Sequence, residues 1–381
     1  MFSNHQIYLD NSATSYPKPK SVVSSVSDYL INCASNPARG VYESALDASL
    51  IQIDTRELIC KLYKAKDFKN VIFNSGITHS LNQLIFGSLN KLDHVIITPF
   101  EHNAVVRSLE MNEIEYSILK NTKEGFVDFS KAKNLIKKNT KALIFNCASN
   151  VFGLVQPIND AKQFSRENNL NLFVDTAQST PIIDLDIDGI TAISFTAHKG
   201  LMGIMGTGGI VSNDSDFLLS LKPLISGGTG SKSALLKMPN ILPDYLEPGT
   251  QNMVGIVALN AALKYFFENE QKIKSIYKSR VSQLIEGLSK INEVDIYGSL
   301  DIERRCGAVS FNIQSVDPSL TAYELNERGI ELRVGLHCAP LAHKAMKTYP
   351  LGTNRLSVSS FTSESDIEYT INAVREVSKK L

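Results

Sequence analysis

Residues 171–209 contain two apolar runs that each end in polar side chains, Leu172-Phe173-Val174-Asp175-Thr176-Ala177-Gln178 and Ile193-Ser194-Phe195-Thr196-Ala197-His198-Lys199-Gly200. Both runs are short, rich in Phe, Val and Ile, and bounded by turn-forming residues, which is typical of buried strands. Ligands of an open α/β sheet bind just outside the carboxyl ends of its strands. The sequence therefore predicts that Asp175 and Lys199 lie where a ligand is held.

Asp175 and Lys199 carry two groups that pyridoxal phosphate (PLP) requires. An amine bonds the aldehyde of this cofactor, and a carboxylate keeps its ring nitrogen protonated, so that the ring withdraws electrons from the Cα atom of a substrate. Gln178 is placed to hydrogen-bond the ring hydroxyl, and Thr196 and His198 could reach the phosphate. Taken alone, the same residues are more typical of a strand cap and a solvated lysine than of a cofactor site, so the pair does not decide between the two interpretations.

These motifs resemble the cofactor core of the class V, fold-type I aminotransferases, and within them the cysteine desulfurase and selenocysteine lyase branch. The resemblance extends from Tyr8-Leu9-Asp10-Asn11-Ser12-Ala13-Thr14 to Arg355-Leu356-Ser357. It implies an α/β fold, with a large domain built on a mostly parallel seven-stranded sheet and a smaller C-terminal α+β domain. It also implies PLP as the cofactor.

Strands and helices alternate through the first two thirds of the chain, which indicates a mostly parallel sheet covered on both faces. We predict a large PLP-binding domain over residues 15–260 and a small domain over residues 261–381, to which the N-terminal segment 1–14 also belongs. A strongly apolar helix from Ile256 to Glu270 bridges the two, and a separate helix is predicted over Lys278–Ser289.

A predicted strand runs through Asn74-Ser75-Gly76-Ile77-Thr78 into a predicted helix. The N-terminus of a helix directs backbone N–H groups and its dipole at one point, which favours an anion. The resemblance implies that Ile77 and Thr78 bind the cofactor phosphate there, although a Ser or Thr at a helix start is also a common cap. It further implies that Thr250 reaches the phosphate of a partner subunit, and hence a homodimer.

Further site residues follow from the resemblance. His102, in the context Glu101-His102-Asn103, corresponds to the imidazole that stacks on the cofactor ring and can move protons at Cα. Asn150 corresponds to the asparagine near the cofactor hydroxyl and the substrate carboxylate. Arg39 is a weaker candidate at the mouth of the site. The other histidines have no such context and are predicted to be structural or solvated: His5, His79, His94 and His343.

One loop of the sequence distinguishes desulfurases, which need a thiol, from ordinary aminotransferases, which do not. It reads Leu332-Arg333-Val334-Gly335-Leu336-His337-Cys338-Ala339-Pro340. A thiol flanked by Gly and His and preceded by Arg can be exposed, with its thiolate favoured by positive charge. The resemblance makes Cys338 the sulfur-accepting nucleophile, with Leu336 standing where many relatives have a second His. It also implies substrate contacts from Arg333 and Asn11.

Arg355 lies on a predicted strand, where a guanidinium can clamp an α-carboxylate through two hydrogen bonds. The predicted reaction converts L-cysteine to L-alanine and leaves a persulfide on Cys338, which passes to an acceptor protein or thiol. Lys199 is the general base at Cα in this scheme. Three alternatives stay open: a selenocysteine lyase acting on L-selenocysteine, a class V aminotransferase or lyase acting on another amino acid, and a non-catalytic protein that keeps the fold.

The composition of the chain limits the kinds of partner that we expect it to bind. Lys plus Arg and Asp plus Glu both number 39, so the chain has no net charge that favours nucleic acid or an anionic membrane. Neither a signal-peptide pattern nor a membrane-length apolar run is present, so we expect a cytoplasmic protein. The five cysteines lack the spacing of a metal site or a disulfide framework. Cys60 and Cys147 are expected to be small buried hydrophobic residues.

Overall fold

The computed structural model describes residues 6–37 and 40–381. The α-helices of these residues are α1 (Lys20–Asn32), α2 (Glu43–Tyr63), α3 (Ile77–Ser88), α4 (Asn103–Met111), α5 (Ile158–Glu167), α6 (Ser215–Ser220), α7 (Met253–Leu288), α8 (Pro318–Asn326), α9 (Pro340–Ala345) and α10 (Glu364–Lys380). None of these helices combines the length and the apolar character that a membrane span requires.

The strands of the described residues are β1 (Ile7–Tyr8), β2 (Val71–Asn74), β3 (His94–Ile97), β4 (Glu115–Ile118), β5 (Lys120–Asn121), β6 (Val127–Asp128), β7 (Thr140–Asn146), β8 (Asn171–Asp175), β9 (Ala192–Thr196), β10 (Gly208–Val211), β11 (Val294–Ile296), β12 (Ala308–Ile313), β13 (Ile330–Glu331), β14 (Arg333–Gly335) and β15 (Thr353–Ser357). The two apolar runs quoted at the outset form β8 and β9, so that prediction is confirmed.

The large sheet has seven strands in the order β2-β10-β9-β8-β7-β3-β4. Only β10 is antiparallel to its neighbours, β2 and β9. The predicted mostly parallel seven-stranded sheet is therefore confirmed. Because β2, β3, β7, β8 and β9 all point the same way, the residues that follow them meet at one edge of the sheet.

Alternate residues of each central strand enter different apolar clusters, as the two-residue period of a strand requires. In β7, Leu143 and Phe145 pack with residues of α2, α5 and α7. Ala142 and Ile144 pack on the opposite face with residues of α3, α4 and α6. Helices thus cover both faces, which explains why the central strands are apolar throughout rather than alternating.

A second, four-stranded antiparallel sheet has the order β11-β12-β15-β14. The beginning of the described chain lies against this part of the molecule: β1 pairs with β13, and Asp10 forms a β-bridge with Ser357. The predicted domain boundary between residues 260 and 261 falls inside α7 and stays a prediction.

The helix predicted over Lys278–Ser289 is present, but it begins earlier, because the helical span of α7 is interrupted at Asn269 and not just before Lys278. Asn269 has non-helical φ and ψ of −124° and 15°, next to the predicted end of the first helix at Glu270. Ile273 and Tyr277 are buried and extend the apolar stripe of α7 into the core beside the four-stranded sheet. Packing therefore makes the polar stretch after Glu270 helical, although the sequence pattern predicts no helix there.

A buried ion pair holds the segment before α7 against β2. The Arg56 guanidinium donates to Glu247 over 2.7 Å, and both side chains are at most 4% exposed. The other Glu247 oxygen, Oε1, accepts from the backbone N–H of Phe73 at 2.5 Å. This pair fixes the segment that carries Thr250.

Replacing Arg56 with Met is expected to lower the free energy of unfolding by about 3–5 kcal/mol, because Glu247 is left buried without its cation. Urea titration followed by circular dichroism measures this change. The control is Lys137→Met, which breaks an exposed ion pair with Glu115 and should leave the urea midpoint unchanged. Equal midpoints for Arg56→Met and Lys137→Met would contradict the assigned role.

Candidate functional site

Asp175 and Lys199 lie together at the carboxyl edge of the large sheet. Asp175 ends β8 and is buried, and its Oδ1 accepts from the N–H of Ala177 at 2.8 Å. Burial lowers the pKa of Lys199 to about 8; the charge of Asp175 opposes this shift, while Arg355 and Arg333 add to it. The amine can therefore give up its proton near neutral pH, as a nucleophile or general base must.

The start of α3 forms an open backbone cradle next to the end of β9. Gly76 precedes Ile77 and Thr78 with φ at +134°, and a Cβ added there would lie 3.4 Å from Thr196 Oγ1. The loop after β2, the first turn of α3 and the end of β9 thus approach closely. N–H groups at such a helix start are available to an anion.

His198 follows Thr196 two positions along the chain and has an unused ring nitrogen. Its Nδ1 is buried and has no hydrogen-bond partner among the described residues. Burial lowers the pKa of His198 to about 4, and the charges of Lys199 and Lys18 add to this shift. The ring is therefore neutral at physiological pH, and Nδ1 is a polar atom that is left for a ligand.

The N-terminal segment crosses the site and engages two predicted residues. Gln178 Nε2 donates to the carbonyl of Ser12 at 2.9 Å. Asn11 donates through Nδ2 to the carbonyl of Ser357 at 2.9 Å and accepts from the N–H of Tyr16 at 3.0 Å. The side chain of Asn11 is thus occupied by backbone groups, and the substrate contact expected from it stays a prediction.

His102 caps α4. Its Nδ1 accepts from the N–H of Ala104 at 3.0 Å, so the hydrogen of the neutral ring is on Nε2. Burial lowers the pKa of His102 to about 4, helped by the charges of Lys199, Arg333 and Arg107. His102, Thr78 and Cys338 line one cavity of about 320 Å³.

Cys338 lies in a tight turn at this cavity. Its sulfur is 3.7 Å from Nη2 of Arg333, and its carbonyl accepts from the N–H of Asn103 at 2.7 Å. Cys338 is half-buried, whereas Cys147 and Cys306 are fully buried. Burial raises the pKa of Cys147 to about 11 and that of Cys306 to about 12, so these two thiols are inert.

The predicted burial is confirmed for Cys147, while Cys60 is only half-buried. Even so, partial burial raises the pKa of the Cys60 thiol to about 11, assisted by the charges of Asp67 and Glu57. Cys60 is therefore a poor nucleophile as well. Of these thiols, Cys338 alone combines access to the cavity with a cation beside its sulfur.

Arg355 is 1% exposed and joins three parts of the chain. Nη1 donates to the carbonyl of Asn150 at 2.8 Å, and Nη2 donates to Asp10 at 2.5 Å. Asn150 in turn donates through Nδ2 to the carbonyl of His337 at 2.6 Å. Arg355 Nε and Asn150 Oδ1 are buried and have no partner among the described residues, so the site retains both a donor and an acceptor for a ligand.

Thr250 lies apart from these residues on the described chain. It is exposed, just before α7, and lines a second cavity with Asn74, Ser75 and Asn252. Its predicted contact is with a partner subunit and therefore stays a prediction. Arg39 and His5 lie outside the described residues.

Three further residues at or next to the site have contacts that no sequence motif predicts. Asp10 lies within a quoted motif, but nothing in the sequence pairs it with Arg355, 345 residues away. Lys18 donates to the His198 carbonyl at 3.0 Å, and burial lowers its pKa to about 8. His343 is fully buried and lies 3.4 Å from His337, measured between Nε2 and Nδ1. The fold brings the first two pairs together, whereas His343 lies only six residues after His337.

Comparison with known proteins identifies the family. The chain belongs to the class-V aminotransferase family, whose model matches residues 7–370. The fold is that of the fold-type I PLP-dependent transferases, and the predicted family resemblance is confirmed.

Similar proteins cover nearly the whole chain. A probable cysteine desulfurase from Pyrococcus abyssi is 29% identical over 98% of this chain and 95% of its own length. The apo structure of cysteine desulfurase from Thermococcus onnurineus NA1 superposes with a TM-score of 0.90 at 26% identity, covering 99% of this chain and 95% of the other. The cysteine desulfurase CsdA (S-sulfonic acid) from Escherichia coli gives a TM-score of 0.85 at 25% identity, with coverage of 99% and 95%.

The surroundings of Lys199 predict how the reactivity of its amine depends on pH. Only the free, neutral amine is acetylated, so acetylation of Lys199 by acetic anhydride in the protein freed of PLP should rise with a midpoint near pH 8. Arg333→Met removes a positive charge and should raise the midpoint, whereas Asp175→Asn removes a negative charge and should lower it. Peptide mass spectrometry measures the labelled fraction.

The control for this titration is Arg375→Met on α10, where the guanidinium bonds Asn372 and does not act on Lys199. It should leave the midpoint unchanged. Shifts of the same sign in Arg333→Met and Asp175→Asn would show that this electrostatic account of Lys199 is incorrect.

Proposed function

We propose that the chain is a PLP-dependent cysteine desulfurase that converts L-cysteine to L-alanine and leaves a persulfide on Cys338. The observation that carries the proposal is the position of the Cys338 sulfur, 3.7 Å from the Arg333 guanidinium, on a cavity that His102 also lines. A transaminase needs no thiol there. The relatives named cysteine desulfurase, in Pyrococcus abyssi and Thermococcus onnurineus, support the same activity.

The unpartnered polar atoms of the site fit PLP. The cradle at Gly76-Ile77-Thr78 and the hydroxyl of Thr196 suit a phosphate, and Nδ1 of His198 is unpartnered. Asp175 and Lys199 supply the carboxylate and the amine. When bound, PLP supplies an electron-withdrawing ring that stabilises negative charge at the substrate Cα.

Each remaining residue then has a chemical task. With PLP bound, Asp175 would hold a proton on the ring nitrogen, and Gln178 would supply a hydrogen bond to the ring hydroxyl. His102, neutral and carrying its hydrogen on Nε2, would supply a flat aromatic group against the ring. Lys199, with a pKa of about 8, takes the proton from Cα as general base.

Arg355 and Asn150 orient the substrate. The guanidinium is held by Asp10 and by the Asn150 carbonyl, so it is fixed before a substrate carboxylate arrives. Nε of Arg355 is still free to donate. Preorganised donors of this kind align the Cα–H bond at little entropic cost. Arg333 and Asn11 are proposed as further substrate contacts, Arg333 by its charge next to the reacting sulfur.

The sulfur step balances without an added oxidant or reductant. The Cys338 thiolate attacks the sulfur of the substrate, a bond forms between the two sulfurs, and the bond from Cβ to sulfur breaks. The electron pair of that bond stays with the carbon, which takes up protons to give L-alanine. Arg333 stabilises the attacking thiolate. The persulfide is then available to a thiol or to an acceptor protein.

We also propose that the active unit is a homodimer, with Thr250 directed at the partner's cofactor phosphate. Thr250 is exposed, and α1 and α2, which pack against α7, expose large apolar side chains: Leu30 at 54%, Ile31 at 78%, Leu46 at 53% and Leu50 at 62%. Exposed apolar patches of this kind mark protein interfaces. A monomer mass by sedimentation in an active sample would contradict this proposal.

Two further expectations carry over from the sequence. L-Selenocysteine stays the alternative substrate, since Cys338 and Arg333 suit selenium as well as sulfur, and relative rates on the two amino acids separate them. A cytoplasmic location stays a prediction.

The proposed activity predicts that Cys338→Ala forms L-alanine from L-cysteine at least about a hundredfold more slowly than the unchanged enzyme, because the nucleophile is missing. Chromatographic measurement of alanine checks this. Cys60→Ala, at a half-buried cysteine outside the site, is the matched control and should retain full activity. Undiminished alanine formation by Cys338→Ala would exclude the thiol mechanism.

A further inference from the structure

We propose that His343 is a positioning residue for Cys338, acting through a buried chain of hydrogen bonds that runs from Thr348 through His343 and His337 to the carbonyl of Arg333. This inference rests on the proposed function, since it concerns the same thiol. It assigns a task to a histidine on α9 that does not contact the cavity lined by Cys338.

The direction of the chain follows from its two ends. The carbonyl of Arg333 can only accept, so Nε2 of His337 carries a hydrogen and donates over 3.3 Å. Nδ1 of His337 is then an acceptor for Nε2–H of His343, 3.4 Å away. Nδ1 of His343 accepts in turn from the hydroxyl of Thr348 at 2.7 Å. One tautomer of each ring satisfies every contact.

Burial keeps the chain neutral and rigid. His343 is fully buried, His337 is 3% exposed, and the two rings lie nearly parallel with their centroids 5.6 Å apart. The Phe152 ring packs against His343 at 5.8 Å. Burial lowers the pKa of His337 to about 2, with the Arg355 charge adding to the shift, and that of His343 to about 4. Both rings therefore keep an acceptor nitrogen at working pH.

The turn that carries the thiol needs such support. His337 and Cys338 have φ of 49° and 57°, a left-handed conformation that side chains other than glycine rarely adopt. Two hydrogen bonds hold the backbone of the turn: Asn150 Nδ2 donates to the carbonyl of His337, and the N–H of Asn103 donates to the carbonyl of Cys338. The ring of His337 is held separately, by the hydrogen bond from His343. Fixing the His337 ring to the carbonyl of Arg333 also keeps Cys338 beside the Arg333 side chain.

The test compares three variants of the PLP-loaded enzyme. His343→Phe keeps a ring but removes the donor to His337, His343→Gln keeps an N–H donor, and Thr348→Val removes the hydroxyl at the far end of the chain. The matched control is His94→Phe, at a second fully buried histidine whose ring nitrogens contact Thr140 and Ser117, outside the site.

Two readouts separate positioning from general damage. The first readout concerns the thiol. Mass spectrometry measures the rate at which iodoacetamide alkylates Cys338, and it also measures persulfide formation from L-cysteine. The second is exchange of the Cα hydrogen of L-alanine in D2O, followed by NMR, which uses Lys199, Asp175 and Arg355 but not the thiol.

We expect His343→Phe to slow alkylation and persulfide formation about tenfold, because a displacement of the turn of about 1 Å is costly to a reacting group. Exchange of the alanine hydrogen should be unchanged. His343→Gln should recover most of the loss, Thr348→Val should show part of it, and His94→Phe should match the unchanged enzyme in both readouts.

Alkylation by His343→Phe at the unchanged rate would overturn the proposal, as would an equal loss in both readouts or an equal loss in His94→Phe. Should His343→Phe fail to fold, Thr348→Val decides alone, and an unchanged alkylation rate in that variant counts against the proposal. An unchanged enzyme that forms no persulfide, while the alkylation rates follow the expected order, would refute the desulfurase and leave the positioning role standing.

Discussion

The site depends on the buried guanidinium of Arg355. Its hydrogen bonds to Asp10 and to the Asn150 carbonyl join the N-terminal segment, the loop after β7 and the four-stranded sheet at one point. A buried charge with no partner lowers the free energy of unfolding by several kcal/mol. The hydrogen bonds of the Arg355 guanidinium therefore hold the three parts of the chain together. Because the guanidinium leaves Nε unpartnered, the same interaction that assembles the site also leaves a donor for an anionic ligand.

Positive charge is concentrated near the carboxyl edge of the large sheet, where Asp175 and Lys199 lie. Arg333 and Arg355 face each other on neighbouring strands, and both act on Lys199. Burial lowers the pKa of Lys199 to about 8, and the two guanidinium groups add to this shift. Arg333 also lies next to the Cys338 sulfur. An amine that loses its proton at about pH 8 and a thiol with a cation beside it are the two reagents that desulfuration requires. The electrostatics of one small region therefore support both halves of the proposed reaction.

The sequence predicted the parts of the fold whose signals are local. β8 and β9 were predicted because short apolar runs ended in polar residues, and the seven-stranded sheet followed from strand and helix alternation together with the family resemblance. Cys338 and Arg355 are likewise predicted as site residues from motifs a few residues long, and their roles stay predictions. The sequence predicts the interruption of α7 near Glu270, where Asn269 is non-helical, but it does not predict that the second helix begins directly afterwards, since the burial of Ile273 and Tyr277 is visible only once the two sheets are in place.

Two pairings at the site are not predicted from the sequence. The contact of Arg355 with Asp10 joins residues 345 positions apart and depends on how the strands pack. The contact of His337 with His343 spans only six residues but depends on the conformation of the turn before α9, so the sequence predicts His343 only as structural or solvated. The roles of Thr250 and of Arg39 stay predictions, since one concerns a partner subunit and the other lies outside the described residues.

The central claim is that sulfur from L-cysteine is transferred to Cys338. An unreduced mass spectrum of the PLP-loaded protein after incubation with L-cysteine tests it most directly. The account predicts a gain of one sulfur atom in the peptide that contains Cys338, and no gain in Cys338→Ala. No gain in the unchanged protein, or a gain that persists in Cys338→Ala, would contradict it.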